Sequence, residues 1–199
     1  MSTGKTLQVV RREHQTLAAM LHALQTIARD TAPGDAANFD AMRAILFYVD
    51  EFPERLHHAK ESALLFPPLR RRCPSIGAVL DRLDAEHADG GRAVRDLEHA
   101  LTAFEQLGEA RRGTFLAMLE RYVSFYRDHM QIEEREVLPL AERELTQADW
   151  AEIDAAFEAN RDPLSGYTPE AEYEPLFRKI VQIAPPPIGL GASGRRSVG

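Results

Sequence analysis

The sequence predicts an all-α protein: an up-down-up-down four-helix bundle, followed by short C-terminal helices and an extended tail. Apolar residues recur three and four positions apart along four long stretches, which is the pattern of amphipathic helices. Short segments rich in proline, glycine or arginine separate these stretches, and no segment of note alternates apolar and polar residues as a half-buried strand would. Long helices joined by short connections pack as antiparallel neighbours.

The first two predicted helices span residues 6–30 and 36–69, with a Pro-Gly break between them. Pro53 lies inside the second helix. We expect a kink there, because proline removes a backbone donor and clashes with the preceding turn. Pro67 and Pro68 are expected to weaken or end this helix, so that the arginine-rich connection to the third helix follows.

The third and fourth predicted helices span residues 74–108 and 109–145. Gly90 and Gly91 lie in the middle of the third helix, where each costs about 1 kcal/mol relative to alanine. Such a pair is tolerated where another group approaches the backbone closely or where space is needed. Simple packing and room for a small molecule beside a metal are both open at this point.

The chain is expected to divide into three parts. Residues 1–145 form the bundle, and residues 146–183 form short helices packed on it. Thr146 has the character of an N-cap for the first of these helices, and the second is predicted at residues 169–183. Residues 184–199 are rich in proline and glycine, and we expect them to be extended or disordered.

Composition narrows the class of protein. The net charge of −7 and the isoelectric point of about 5.5 give no basic footprint for nucleic acid. Cys73 is the only cysteine, so any metal must be bound by histidine and carboxylate. No apolar run has the length needed to span a membrane, and the first residues lack the apolar core of a signal peptide. A cytoplasmic location is therefore expected.

Six potential metal ligands lie in the core stripes of the four helices. Each helix has one histidine in its core stripe, and two of these histidines are followed by a glutamate four residues later, on the same helix face. The six residues are His14, His57, Glu61, His87, His129 and Glu133.

The four histidines are predicted to lie at one height in the bundle. Counted from each turn at about 1.5 Å per residue, the distances to the histidines on either side agree within one to two helical turns. A single histidine in an apolar stripe is more often a hydrogen-bonded core residue, and one HxxxE pair is uninformative. Four level imidazoles and two carboxylates in a core without a cation, however, would be costly.

This ligand set exceeds the needs of one tetrahedral zinc. It suits two octahedral first-row metals bridged by the two carboxylates. The mixed nitrogen and oxygen donors favour iron over manganese or zinc.

Four segments carry a resemblance to a known family: Glu13-His14, FPERLHHAKESALLFPPL, Glu86-His87 and RDHMQIEEREVLPLAE. With them the chain resembles the hemerythrin-like family, also called the HHE cation-binding domain, and the similarity extends into the tail. The resemblance implies a four-helix bundle with a non-haem, oxo- or hydroxo-bridged di-iron centre. It also implies that His14 and His57 hold one iron, that the other two histidines hold the second, and that the two glutamates bridge.

The sequence departs from the oxygen-carrying hemerythrins, which have two histidines four apart on the third helix. Here Leu83 and Gly91 stand at that spacing. The carboxylate of the fourth helix follows its histidine at four positions, where the carriers use aspartate at five. An open position results, which water, Tyr126 or an exogenous ligand could fill. For Tyr126 and Tyr122 we favour the role of core aromatics whose hydroxyls find partners.

Other polar residues near the motifs are interpreted more simply. His22 and His99 fall off the core stripes and are expected at the surface. His58 faces about 100° away from its neighbour, so we expect it to be exposed or to support a ligand from behind. Helix geometry points four flanking acids away from the adjacent histidines, so none is assigned a partner; they are Glu13, Glu86, Asp128 and Glu134.

The predicted function is a non-haem di-iron protein that binds or senses O2, NO or peroxide, with peroxide decomposition as an activity it could support. Two alternatives remain open: an iron-responsive regulatory or interaction module without catalytic activity, and a helical bundle without metal. Whether the chain is an enzyme is left open. The expected partner is a small diatomic molecule or peroxide, and neither nucleic acid nor membrane is expected.

Overall fold

The computed structural model describes residues 5–159, 162, 164 and 171–183, and it is helical, with no strand among these residues. The predicted all-α bundle is confirmed. The first helix, α1, spans Lys5–Asp30. The second, α2, runs from Ala36 to Arg72 through successive segments: Ala36–Val49, the π-helix Asp50–His57, His58–Lys60, the π-helix Glu61–Leu65, and Phe66–Arg72.

The remaining helices follow the predicted order. The third, α3, spans Gly77–Leu107 after the short 3-10 turn Pro74–Ile76. The fourth, α4, comprises Glu109–Ile132, the π-helix Glu133–Val137 and Leu138–Glu144. Two short helices complete the fold, α5 at Gln147–Glu158 and α6 at Glu174–Ile183.

The start of α5 is set by the predicted cap. The Thr146 side chain accepts a hydrogen bond from the backbone N–H of Asp149, whose carboxylate accepts one from the N–H of Thr146 at 2.8 Å. This reciprocal arrangement satisfies two backbone donors at once. The helix α6 begins at Glu174, later than predicted, and the predicted tail at residues 184–199 lies outside the described residues.

Pro67 and Pro68 do not end α2, which continues through both residues to Arg72, three residues beyond the predicted end. A π-turn precedes the prolines, in which the N–H of Phe66 bonds to the carbonyl of Glu61, five residues back. The prolines then occupy the first turn of the next α-helical segment, where a missing N–H leaves no bond unmade. Pro53 is likewise held within a π-helix rather than at a break.

The core consists of two hydrophobic clusters separated by a polar layer. One cluster contains the C-terminal half of α1 and the N-terminal half of α2, and is closed by Phe177 of α6. The other contains Leu7 and Val10 of α1, the ends of α2 and α4, and Trp150 of α5. On each of the four long helices the residues predicted as ligands lie between the two clusters, so they do lie at one level, and Glu13, Glu54 and His58 are buried in the same layer.

None of the helices within the described ranges combines the length and the apolar character required to cross a membrane.

Gly90 is the position where α3 comes closest to its neighbours. A Cβ at Gly90 would lie 2.5 Å from Glu54 Oε2 and in still closer contact with the Tyr126 hydroxyl, whereas at Gly91 the nearest atom, on Arg95, is 3.5 Å away. We expect Gly90→Ala to destabilise the protein by about 1–3 kcal/mol through overpacking. Gly91→Ala is the matched control and should stabilise the helix by up to about 1 kcal/mol. Urea unfolding measures both, and equal effects would contradict this packing.

Candidate metal centre

All six predicted ligand residues meet in the polar layer between the two hydrophobic clusters. Five of them are buried, with Glu61 and Glu133 at 0 % exposure, and the sixth, His87, has a side chain that is 6 % exposed. The HxxxE spacing therefore did place each histidine and its glutamate on one inward face.

Glu61 lies between histidines of two different helices. Its Oε2 is 3.2 Å from His57 Nε2 on the same helix and 3.6 Å from His87 Nε2 on α3. Donor atoms of Glu61, His57 and His14 lie within 4.8 Å of one another, which is the spacing of atoms around one ion.

Glu133 occupies the equivalent place on the other side. Its Oε2 is 3.2 Å from His14 Nε2, and its Oε1 is 3.3 Å from His129 Nε2 and 3.6 Å from His87 Nε2. Glu61 thus contacts histidines of α2 and α3, and Glu133 contacts histidines of α1, α3 and α4.

These inward-facing atoms are unsatisfied. All four carboxylate oxygens of Glu61 and Glu133 are buried without a hydrogen-bond partner in the described part of the chain, as are Nε2 of His14 and of His57. The distances are short, but the groups are not aligned as hydrogen bonds. Buried polar atoms without partners are rare and costly. Cations placed among them would satisfy these atoms, so the residues fit metal binding.

The outward-facing nitrogen of each site histidine has a polar partner. These Nδ1 contacts are His14–Glu134 at 3.2 Å, His57–Glu13 at 2.6 Å, His58–Glu54 at 3.1 Å, His87–Ser62 at 2.9 Å and His129–Glu86 at 2.8 Å. A carboxylate can only accept, so it places the ring hydrogen on Nδ1 and leaves the lone pair on Nε2, which faces the centre.

Sequence reasoning missed three of these contacts, because Glu13, Glu86 and Glu134 each contact a histidine on another helix. Glu13 does not contact the adjacent histidine of α1 but that of α2, and Glu86 contacts the histidine of α4. Glu134 contacts the histidine of α1, while Asp128 is exposed. Helix geometry excludes partners next to each other along the chain, but it says nothing about partners across the bundle.

His58 is a further residue of the site. It is 2 % exposed, so the expectation of exposure is wrong, and its ring stacks on His87 with centroids 4.4 Å apart. Donor atoms of His58, His87 and His129 lie within 4.8 Å of one another. In a regular α-helix two adjacent residues cannot both face inward, but His58 lies between two π-helices, whose wider turns change the angle between successive side chains.

Tyr126 takes the role of a core aromatic. Its hydroxyl donates to Glu54 Oε1, and the hydroxyl of Tyr122 donates to the same oxygen at 3.0 Å. Gly90 provides the space for this pair, which favours packing over room for a small molecule at that position. His22 and His99 are exposed, as predicted.

The protonation of the metal-free site follows from its charges. Burial lowers the pKa of His129, but the negative charge and close approach of Glu133 and the hydrogen bond to Glu86 raise it more, to about 9. Burial also lowers the pKa of His57. The nearby carboxylates of Glu61 and Glu13 have the larger effect and raise this pKa well above its usual value. The pKa of His58 is instead lowered well below its usual value, by burial and by the neighbouring histidines.

The fold and the site together define a helical bundle with a buried cation-binding centre of histidine and glutamate. The family model described as the hemerythrin HHE cation binding domain matches residues 5–141. The chain belongs to this family. The comparisons with curated proteins and with solved structures gave no match.

The stability of the metal-free protein should depend on pH. A histidine whose folded pKa is raised stabilises the fold below its unfolded pKa of 6.5, and this contribution is lost as the pH rises through the folded value, about 9 for His129. We therefore expect the melting temperature of metal-free protein to fall over this range. Metal-loaded protein should not show this fall, because the ion replaces the protons. If the melting temperatures of the metal-free and metal-loaded forms changed with pH in the same way, this prediction would be wrong.

Proposed function

We propose that this centre holds two iron ions and binds small molecules of the class of O2, NO and peroxide. The observation that supports it best is the set of unsatisfied carboxylate oxygens of Glu61 and Glu133 between two groups of inward-facing imidazoles. One ion satisfies only one side of this arrangement. Nitrogen and oxygen donors in this mixture favour iron over manganese or zinc.

The ligands divide into two unequal groups around the shared glutamates. His14 and His57 would hold the first ion. His87 and His129 would hold the second, with His58 as a third imidazole in place of the histidine that α3 lacks. An oxo or hydroxo group between the ions is expected from the resemblance to the family. The first ion then has fewer protein ligands, and the open position belongs to it.

A small cavity borders the histidines of this first group. It has room for about one water-sized molecule, about 10 Å3. Leu17, Phe52 and Leu56 form its apolar wall. Glu13 and Asp162 also line the cavity, so its size and charge favour small uncharged molecules over larger molecules and anions.

Bound iron would supply an exchangeable coordination position and a change of oxidation state. The protein residues do the rest. Glu13 and Glu134 hold the imidazoles of α2 and α1 in orientation through their Nδ1 atoms. The two hydrophobic clusters keep bulk water away from both faces of the polar layer.

An iron-responsive regulatory module is the second candidate. The buried polar atoms without partners favour this candidate, because they destabilise the metal-free fold. A cation that binds only the folded chain would stabilise the fold by mass action. In that case metal occupancy would change stability without any reaction of the centre with small molecules.

Metal content tests the proposed centre. We expect two irons per chain in wild-type protein purified without an affinity-tag metal, measured by elemental analysis. Glu61→Ala, Glu133→Ala and His58→Ala should each lose at least one metal, because each removes a donor that faces the centre. His99→Ala, at an exposed histidine, is the control and should lose none. A wild-type content well below one iron per chain would refute the di-iron centre.

Ligand binding tests the small-molecule function. NO and peroxide added in a stopped-flow instrument should change the visible spectrum of the iron-loaded protein. Leu56 is 37 % exposed beside the cavity, so Leu56→Trp should narrow the entrance and slow NO binding several-fold at unchanged iron content. Met118→Trp, in a groove away from the cavity, is the control. No spectral change with either molecule would leave the regulatory module as the better proposal.

A further inference from the structure

Two buried tyrosines form a continuous path from the candidate metal centre to the protein surface. The ring of Tyr126 is nearly parallel to that of His58, with centroids 5.6 Å apart, and lies 5.8 Å from the ring of His129. The ring of Tyr122 is 4.8 Å from that of Tyr126. Tyr122 also lines an open surface groove, next to Phe125.

Both phenols share one proton acceptor. Glu54 Oε1 accepts a hydrogen bond from each hydroxyl, and Glu54 Oε2 faces Nδ1 of His58. Each tyrosine can therefore lose an electron from its ring and a proton along an existing hydrogen bond. The same carboxylate links this pair to a histidine of the site.

A second tyrosine–carboxylate pair in the protein shows what sets this one apart. Tyr48 is also fully buried, and its hydroxyl donates to Asp162 at 2.9 Å. Within the described residues, however, the ring of Tyr48 contacts Phe52 and Phe177, not a histidine of the centre. Tyr48 does line the cavity beside His14 and His57, but among the described tyrosines only Tyr126 has ring contacts with histidines of the centre.

We propose that Tyr126 and Tyr122 form an electron relay between the metal centre and the surface groove. The relay rests on the proposed function, since its oxidant is a peroxide that reacts at the iron-loaded centre. Each tyrosine gives up one electron and its phenolic proton. The O–O bond of hydrogen peroxide breaks, and two electrons with two protons convert it to two water molecules. A soluble one-electron reductant then returns an electron, and solvent a proton, to each tyrosyl radical through the groove.

The relay has a direct spectroscopic signature. Iron-loaded wild-type protein, treated with hydrogen peroxide and freeze-quenched, should give a tyrosyl radical signal in electron paramagnetic resonance, which narrows when ring-deuterated tyrosine is incorporated. Tyr126→Phe should lose this signal. Tyr122→Phe should still form a radical, but its reduction by added ascorbate should be slower, because the residue at the groove is missing. Tyr173→Phe is the control, because the hydroxyl of Tyr173 donates to Glu51 and its ring contacts Phe52, and this variant should behave as wild type.

Iron content and the NO-induced spectrum are measured on the same samples, so that failures can be told apart. A missing radical in wild-type protein with intact iron and NO binding would overturn the relay and leave the proposed function standing. A radical signal that persists unchanged in the double variant Tyr122→Phe/Tyr126→Phe would also overturn the relay and leave the proposed function standing. Loss of iron and of NO binding in wild-type protein would overturn both proposals.

Discussion

The burial of two carboxylates without hydrogen-bond partners is the constraint on which the rest of the structure depends. Glu61 and Glu133 are fully buried, and their oxygens face imidazole nitrogens. Among the described residues Nε2 of His14 and of His57 also lack a partner, while Nε2 of His87 and of His129 lie 3.1 Å from each other. A bundle of this size could fill the same layer with leucine at lower cost, as it does immediately above and below. The arrangement is stable only with protons or cations in the layer, and the raised pKa of His129 shows the first of these in the metal-free state.

The same local backbone arrangement, a short π-helix followed by a proline, positions both glutamates. Each is the first residue of a five-residue π-helix, and in each the backbone N–H after the π-helix bonds to the carbonyl of the glutamate. A proline follows directly, in the first turn of the next α-helical segment. The wide turn and the missing proline donor suit each other, since neither requires the regular bond to the fourth residue back. The recurrence of this π-helix and proline arrangement in α2 and α4 gives the two carboxylates the same local backbone setting.

Much of the fold and of the site could be predicted because both rest on helical periodicity. The spacing of His129 and Glu133, and the distances of the histidines from the turns, need only an ideal helix. The same assumption fails at His58, where π-turns bring two adjacent histidines inward, and at Pro67, where the helix continues. It also fails for Glu13, because contacts between helices depend on the rotation of each helix within the bundle. A sequence of adjacent histidines followed by prolines, with one histidine missing elsewhere, is the signal that could have indicated His58.

The asymmetry of the centre gives its two sides different roles in the proposed function. The cavity borders His14 and His57, where fewer imidazoles are available and a position stays open. The stacked tyrosine borders His58 and His129, on the side with three imidazoles. Small molecules would therefore arrive at one ion and electrons at the other, with the shared carboxylates between them. Such a separation keeps Tyr126 and Tyr122 out of the ligand cavity, so that ligand binding and electron transfer can act on one reaction without competing for one coordination position.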